Sequence, residues 1–346
     1  LLNKLSTKGE DLEMTNQAKL TAQDIKGIVG IMPTPIKDAA NTWRDRDVVD
    51  LEETARGVDK LVRDGVDMLL VNGTFGEAAT LTWDELKQFS ATVVETIAGR
   101  IPVFLGATTL NTRDTIERAT YFRDLGAEGL FLGRPMWCQM SEEMTVQYYK
   151  DVAEAVPDMN ILIYDNPEAF KGKISTRAYA ELAKIPQVVA SKYRSVLAGI
   201  SSDTLVADMR AVKGNIKLLP HDCDWYYAAK WYPEEMDACW SSGVSAGPAP
   251  VVALKKALNE GDWVKAKQIT DEIYWAYEKF LPQGSFTVFN IYNIAIQKAR
   301  FDAAGYIKAG PALPPYHVVP QFVLDDAKES GSRWKQLQGK YANEAL

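Results

Sequence analysis

The sequence is short of the residues on which several kinds of chemistry depend. It has 3 cysteines, Cys138, Cys223 and Cys239, too few and too irregularly placed for a disulfide framework. No C-x-x-C pair occurs, and a reducing, cytoplasmic setting fits. It has 2 histidines, His221 and His317. His221-Asp-Cys-Asp224 holds metal-ligand residue types, but no second histidine stands near it in sequence. No catalytic metal is therefore expected, and the stretch reads as a polar rim loop. The Gly-x-Ser-x-Gly elbow of serine hydrolases is absent. So is a Gly-x-Gly-x-x-Gly after the first apolar run, which removes the main cue for a dinucleotide. No apolar run approaches the roughly 18 residues that span a bilayer. The opening residues mix charged and polar types without an apolar stretch, so no secretory signal is expected. Basic charge is also in deficit, with 39 Lys and Arg against 46 Asp and Glu and a net charge of -7. A chain of that sign repels polyphosphate, which argues against nucleic acid and anionic membrane surfaces as partners.

What the sequence does have is alternation. Short apolar or β-branched runs end in small or polar residues, and amphipathic stretches follow them. The runs are Gly27–Pro35, Met68–Gly73, Ile101–Thr108, Gly129–Pro135, Asn160–Pro167, Val188–Arg194, Ile216–Asp222 and Ala238–Ser245. Runs such as Met68-Leu-Leu-Val are apolar throughout, as strands buried on both faces are. Helical spacing covers Val48–Asp64, Thr82–Ala98, Asn111–Leu125 and Ser141–Ala155, and Thr82 stands at capping-box distance from Glu85. Ala249–Asn259, Trp263–Phe280 and Phe286–Ala304 add further helices. A Gly/Pro-rich segment from Gly310 and a charged stretch from Asp325 follow. Eight βα units predict an α/β fold, a (β/α)8 TIM barrel with a C-terminal helical extension. The division expected is an N-terminal extension over 1–24, the barrel over 25–250, and C-terminal helices and tail over 251–346.

In such a barrel the reacting groups stand at the carboxyl ends of the strands. The second run ends Val71-Asn-Gly-Thr-Phe-Gly-Glu77. Its glycines allow a tight turn with exposed N–H groups, so it is either an ordinary strand-to-helix turn or a seat for a small anion. The sixth run ends on Lys192. An ammonium closing an apolar strand is costly. Lys192 either escapes to solvent or a carboxylate partner, or it points into the barrel mouth as an amine nucleophile of lowered pKa. Tyr164 closes the neighbouring run. It is either a buried structural tyrosine or a phenol that moves protons for a lysine adduct.

Together, Met32-Pro-Thr-Pro35, Gly73-Thr-Phe-Gly-Glu77, Tyr164 with Pro167, and Lys192 have the order and spacing of the dihydrodipicolinate synthase and N-acetylneuraminate lyase superfamily. The resemblance covers about residues 25 to 310. It implies that Thr74 and Phe75 hold a pyruvate carboxylate, that Lys192 forms a Schiff base, and that Tyr164 is the catalytic tyrosine. Dihydrodipicolinate synthases usually carry a second hydroxyl residue at Phe75, a tyrosine at Trp137, and an arginine soon after Pro167. Here that segment reads Pro167-Glu-Ala-Phe-Lys-Gly. An aromatic second substrate suits Phe75, Trp137 and Phe170 better than an aliphatic carboxylate does. Asn166-Pro-Glu-Ala-Phe170, Trp240-Ser-Ser-Gly243 and Tyr292-Asn-Ile resemble the hydratase-aldolase branch. That branch implies hydration and retro-aldol cleavage of an aryl-substituted benzylidenepyruvate, in aromatic hydrocarbon breakdown, to pyruvate and salicylaldehyde or 2-carboxybenzaldehyde.

The resemblance further implies contacts to substrate from Gly73 and Ser241, a wall for the aryl ring at Trp137 and Phe170, and placement of the hydrating water by Asn166 or Asn293. Arg194 is a candidate for a ring carboxylate. No organic cofactor or metal is implied beyond the lysine imine, and the implied assembly is a homotetramer. A sugar-acid aldolase or a synthase-like pyruvate enzyme is the alternative activity.

Overall fold

The computed structural model describes residues 20–40, 42–193 and 202–342. Eight parallel strands alternate with helices: β1 (Gly27–Ile31), α1 (Leu51–Arg63), β2 (Met68–Val71), α2 (Trp83–Ile97), β3 (Val103–Gly106), α3 (Thr112–Leu125), β4 (Gly129–Leu132), α4 (Glu142–Ala155), β5 (Asn160–Tyr164), α5 (Thr176–Leu182), β6 (Val188–Lys192), α6 (Ser202–Val212), β7 (Lys217–Leu219), α7 (Trp225–Trp231), β8 (Ala238–Ser241) and α8 (Ala249–Asn259). The sheet runs β7-β6-β5-β4-β3-β2-β1-β8, and a parallel bridge between His221 and Trp240 closes it. This is the (β/α)8 barrel that the alternation predicts. Each run contributes a strand. The strands stop short of the predicted ends because Pro35, Gly73, Pro135 and Pro167 already belong to the loops at the barrel mouth.

Local chemistry explains the helix starts. Asp50, Thr82, Asn111, Ser141 and Ser175 each accept a backbone N–H three residues on, satisfying one of the donors a helix leaves open. The Thr82–Glu85 capping box forms as predicted. At the amino end of the barrel, the backbone of Leu20 both donates to and accepts from the Asn160 side chain, so the chain closes that end before β1 begins.

Three more helices follow: α9 (Trp263–Tyr277), α10 (Phe286–Ala304) and α11 (Gln321–Tyr341). The sequence reading assigns no element to the charged stretch from Asp325, and the structure corrects that. Val323, Ala327, Ser330, Gly331, Trp334, Leu337 and Tyr341 form a buried face at helical spacing. Small residues at the middle of that face keep its apolar content low, which hides the periodicity. Trp334 anchors the helix, donating its indole N–H to the Gly247 carbonyl at 2.8 Å. Among the described residues, no helix is long and apolar enough to cross a membrane.

Candidate active site at the barrel mouth

The strand register places the two principal side chains. Between β5 and β6 the pairing begins as Ile161 with Val188 and shifts to Leu162 with Ala190, so Val189 is an extra residue in a bulge. The shift pairs Tyr164 with Lys192. A one-residue slip would turn Lys192 to the other face of the sheet, so the bulge decides where the amine points.

Lys192 forms no ion pair among the described residues. Its Nζ lies 3.5 Å from the centroid of the Trp240 ring and 5.0 Å from that of Tyr164. Removal from water lowers its pKa from 10.5 to about 7, against the opposing pull of the Asp165 and Glu168 carboxylates. A large share of the amine is therefore neutral near pH 7 and able to attack a carbonyl. If so, the rate of imine formation with pyruvate, followed by borohydride trapping, rises about tenfold per pH unit below pH 7 and levels off above it, because only the free base reacts. A profile still climbing steeply above pH 9 would show an ordinary, water-exposed lysine.

Tyr164 is held from three sides. Phe131 stacks on its ring at 4.4 Å and Phe170 meets it edge-on at 5.3 Å. Its hydroxyl is 2.8 Å from the Thr74 hydroxyl and accepts from the Asn166 amide at 3.2 Å. Burial raises the phenol pKa, with the bonds to Thr74 and Asn166 pulling the other way, so Tyr164 acts as a neutral hydroxyl. Phe170 comes this close because residue 133 is glycine. A Cβ there would stand 2.1 Å from the tip of the Phe170 ring.

The loop after β2 is a tight turn whose closing N–H groups, those of Gly76, Glu77 and Ala78, bond back to Gly73 and Thr74. Thr74 and Phe75 line one inner cavity with Lys192 and Tyr164. Glu77 fixes the loop from behind. It is fully buried, lies 3.3 Å from the buried Lys298 of α10, and accepts the Leu313 N–H at 3.0 Å. Breaking such a pair by removing one partner typically costs about 3–5 kcal/mol, so the loop and α10 are held in fixed register.

The inner cavity, of about 110 Å³, is lined by Gly73, Thr74, Phe75, Tyr164, Lys192 and Trp240 among others. An outer cavity of about 850 Å³ shares Gly73, Thr74, Tyr164, Asn166, Asn290 and Asn293 with it and adds Phe170, Met136 and Trp83. The pair therefore offers a small, largely aromatic chamber around the amine and a wider one beyond it that mixes polar and apolar side chains. That is the shape for a 2-oxo acid carrying a bulky group.

Of the residues singled out in the sequence, Lys192, Tyr164, Gly73, Thr74, Phe75, Asn166, Asn293 and Phe170 line this joined space. Three do not. Trp137 is 76% exposed and lines neither cavity. Its carbonyl accepts from Lys171 at 2.6 Å, which fixes that loop with the indole turned outward. Ser241 is buried and donates to Asp222, because alternation along β8 turns it away from the mouth, and the next residue, Ser242, lines the inner cavity instead. Arg194 lies outside the described residues.

The sequence reading missed Trp240 and Gln297 as cavity residues. Trp240 was part of a quoted motif but had no assigned role. It donates its indole N–H to the Tyr193 carbonyl at 2.8 Å and presents its ring face to the amine. His221 lies 4.1 Å from that ring. It does not read as a rim loop residue, being 2% exposed. Burial pushes its pKa down to about 3, so it stays neutral. Ligand atoms of His221, Cys223 and Asp224 all lie within 4.8 Å of one another. They are engaged with protein, His221 Nδ1 with Cys223 Sγ at 2.9 Å and Asp224 with the Tyr274 hydroxyl at 2.9 Å.

Comparison with known proteins agrees with this geometry. The model of the dihydrodipicolinate synthetase family matches residues 25–274. Trans-2'-carboxybenzalpyruvate hydratase-aldolase of Nocardioides sp. (strain KP7) is 49% identical over 328 residues, covering 95% of this chain and 98% of that protein. Trans-O-hydroxybenzylidenepyruvate hydratase-aldolase of Pseudomonas aeruginosa is 48% identical over 331 residues, covering 94% and 97%. The solved structure of PhdJ bound to a substrate intermediate superposes with a TM-score of 0.92 at 50% identity, covering 94% of this chain and all of that one.

Proposed function

The chain belongs to the dihydrodipicolinate synthetase family, and from that premise we propose that it is a Schiff-base hydratase-aldolase that converts an aryl-substituted benzylidenepyruvate to an aromatic aldehyde and pyruvate. The observation that carries the reading is the water-poor amine of Lys192, in register with Tyr164 and opening onto a chamber much larger than pyruvate needs. Near-full-length similarity to two enzymes named for such substrates supports it.

In the proposed sequence of steps, the substrate carboxylate sits on the Thr74 hydroxyl and the N–H groups of Thr74 and Phe75. Neutral Lys192 adds to C2, and loss of water gives a protonated imine. The imine withdraws electrons through the conjugated double bond, and water adds at C4. Retro-aldol cleavage between C3 and C4 releases the aldehyde, and the electron pair left behind is held as an enamine. Protonation and hydrolysis then release pyruvate. Tyr164 shuttles protons at imine formation and at C–C cleavage. The imine itself supplies the electron sink, so the side chains of this chain carry each step. Phe170 and Met136 replace Trp137 as the proposed wall of the aryl ring, since they line the outer cavity.

We further propose a homotetramer at work in the cytoplasm, a setting with which three cysteines outside any disulfide agree. The deciding experiment compares aldehyde partners of pyruvate in the condensing direction. Salicylaldehyde or 2-carboxybenzaldehyde is expected to be consumed at least about tenfold faster than glyceraldehyde, and each matching benzylidenepyruvate to release pyruvate. Tenfold corresponds to about 1.4 kcal/mol, a modest demand on an aromatic-lined chamber. A preference for glyceraldehyde would instead identify a sugar-acid aldolase.

A further inference from the structure

Helix α10 carries an amide stripe into the cavities. Asn290, Asn293 and Gln297 follow helical spacing, and all three line the inner chamber. The helix is kinked at Tyr292, directly before Asn293. Gln297 is only 4% exposed, and its side-chain oxygen is buried without a hydrogen-bond partner. The side-chain oxygen of Asn293, one turn away, is in the same condition. Buried amides are almost always hydrogen-bonded, so two adjacent unsatisfied oxygens beside a reactive lysine call for a polar guest. Asn166, the other amide near Tyr164, is already engaged at both ends, donating to the Tyr164 hydroxyl and accepting from the Ala169 N–H.

We propose that Gln297, together with Asn293, is the socket that holds the water molecule added to C4. The inference rests on the hydratase-aldolase reading and assigns its hydration step to specific side chains. C4 lies two bonds from the carbon tethered to Lys192, within the small chamber that both amides line. Two carbonyl-type acceptors orient both O–H bonds of a water and leave one lone pair aimed at carbon. In the step itself, the O–C4 bond forms and the C3–C4 π pair moves to C2–C3. The C2–N π pair moves onto nitrogen, giving a neutral enamine. As the O–C4 bond forms, one of the two O–H protons leaves its amide acceptor for the Glu168 carboxylate, which lines both cavities, and is returned at C3. One water is gained overall, and the protonated imine is restored for cleavage.

This places a sharper demand on Gln297 in hydration than in cleavage. During hydration a free water has to be fixed in place. During cleavage the same oxygen is already bonded to C4 and needs no positioning. The test is Gln297→Met, which keeps the volume and removes both polar ends. Two substrates are followed, the benzylidenepyruvate and its hydrated form, the 4-hydroxy-4-aryl-2-oxobutanoate. Turnover of the unsaturated substrate is expected to fall about 100-fold, the usual effect of losing alignment at a reacting centre. Cleavage of the hydrated substrate is expected to fall far less. Pyruvate trapping by borohydride and the unfolding temperature report whether the site and the fold persist.

Equal losses on the two substrates, or no loss on either, overturn the socket. Rescue of hydration in Gln297→Asn together with Asn293→Gln, which moves the acceptors but keeps both, supports it. If the unaltered enzyme cleaves neither substrate while still trapping pyruvate, the hydratase-aldolase reading fails instead, and the two failures are thereby told apart.

Discussion

Replacing Lys192 by alanine is expected to lower aldehyde release by about 10⁴-fold or more, since covalent catalysis loses its only nucleophile and the residual rate comes from binding alone. In the unaltered protein, borohydride with pyruvate should add a pyruvate-derived mass to the peptide carrying Lys192, and in the variant that mass should vanish. Lys192→Arg is expected to fare no better. A guanidinium stays charged at every accessible pH and cannot form the imine. The fold should tolerate the alanine, because the change removes a cation from a site that strips away its water. A lowered unfolding temperature alongside lost activity would leave the cause ambiguous, so Lys192→Met, closer in volume, is the companion variant. A pyruvate label on a different lysine would overturn the assignment, and Lys298 is the natural control. It is also buried, but it is locked against Glu77 and the Thr34 carbonyl rather than turned to the cavity.

The barrel was legible because each of its parts is locally encoded. Strands buried on both faces read as unbroken apolar runs, and the polar residues before the helices are the ones that cap them. The bounds of α8 and α10 coincide with the periodic stretches Ala249–Asn259 and Phe286–Ala304. The site was legible in kind but not in geometry. That a lysine ends β6 is visible in the sequence. That it stands beside Tyr164 depends on the bulge at Val189, a register choice made between strands and marked by no turn residue. The two tryptophans show the same limit. Trp137 sits in a loop whose path is set by Lys171 from another loop. Trp240 sits on a strand, where alternation alone decides whether its ring faces the amine. Ser241 and Ser242 differ by one position in that alternation, and Ser242 rather than Ser241 lines the inner cavity. The trace of Gln297 in the sequence is that amides at positions 290, 293 and 297 share one face of an otherwise largely apolar helix.

Tyr164→Phe is the second large effect, and it separates proton transfer from packing. The ring is wedged between Phe131 and Phe170, and phenylalanine preserves both contacts. What disappears is one hydroxyl, with its bonds to Thr74 and Asn166. Loss of a positioned proton-transfer group typically slows catalysis by about 10²–10⁴-fold, and turnover of the benzylidenepyruvate should fall within that range. Ground-state binding of pyruvate should weaken much less, because the carboxylate keeps the Thr74 hydroxyl and the loop N–H groups. The measurement is the split between kcat and the pyruvate concentration that half-saturates borohydride trapping. A fall in kcat with little movement in half-saturation assigns Tyr164 to proton transfer. Equal losses in both would assign it to holding the substrate, and the proton would then have to travel by Glu168, the other ionisable group that lines both cavities within reach of the imine.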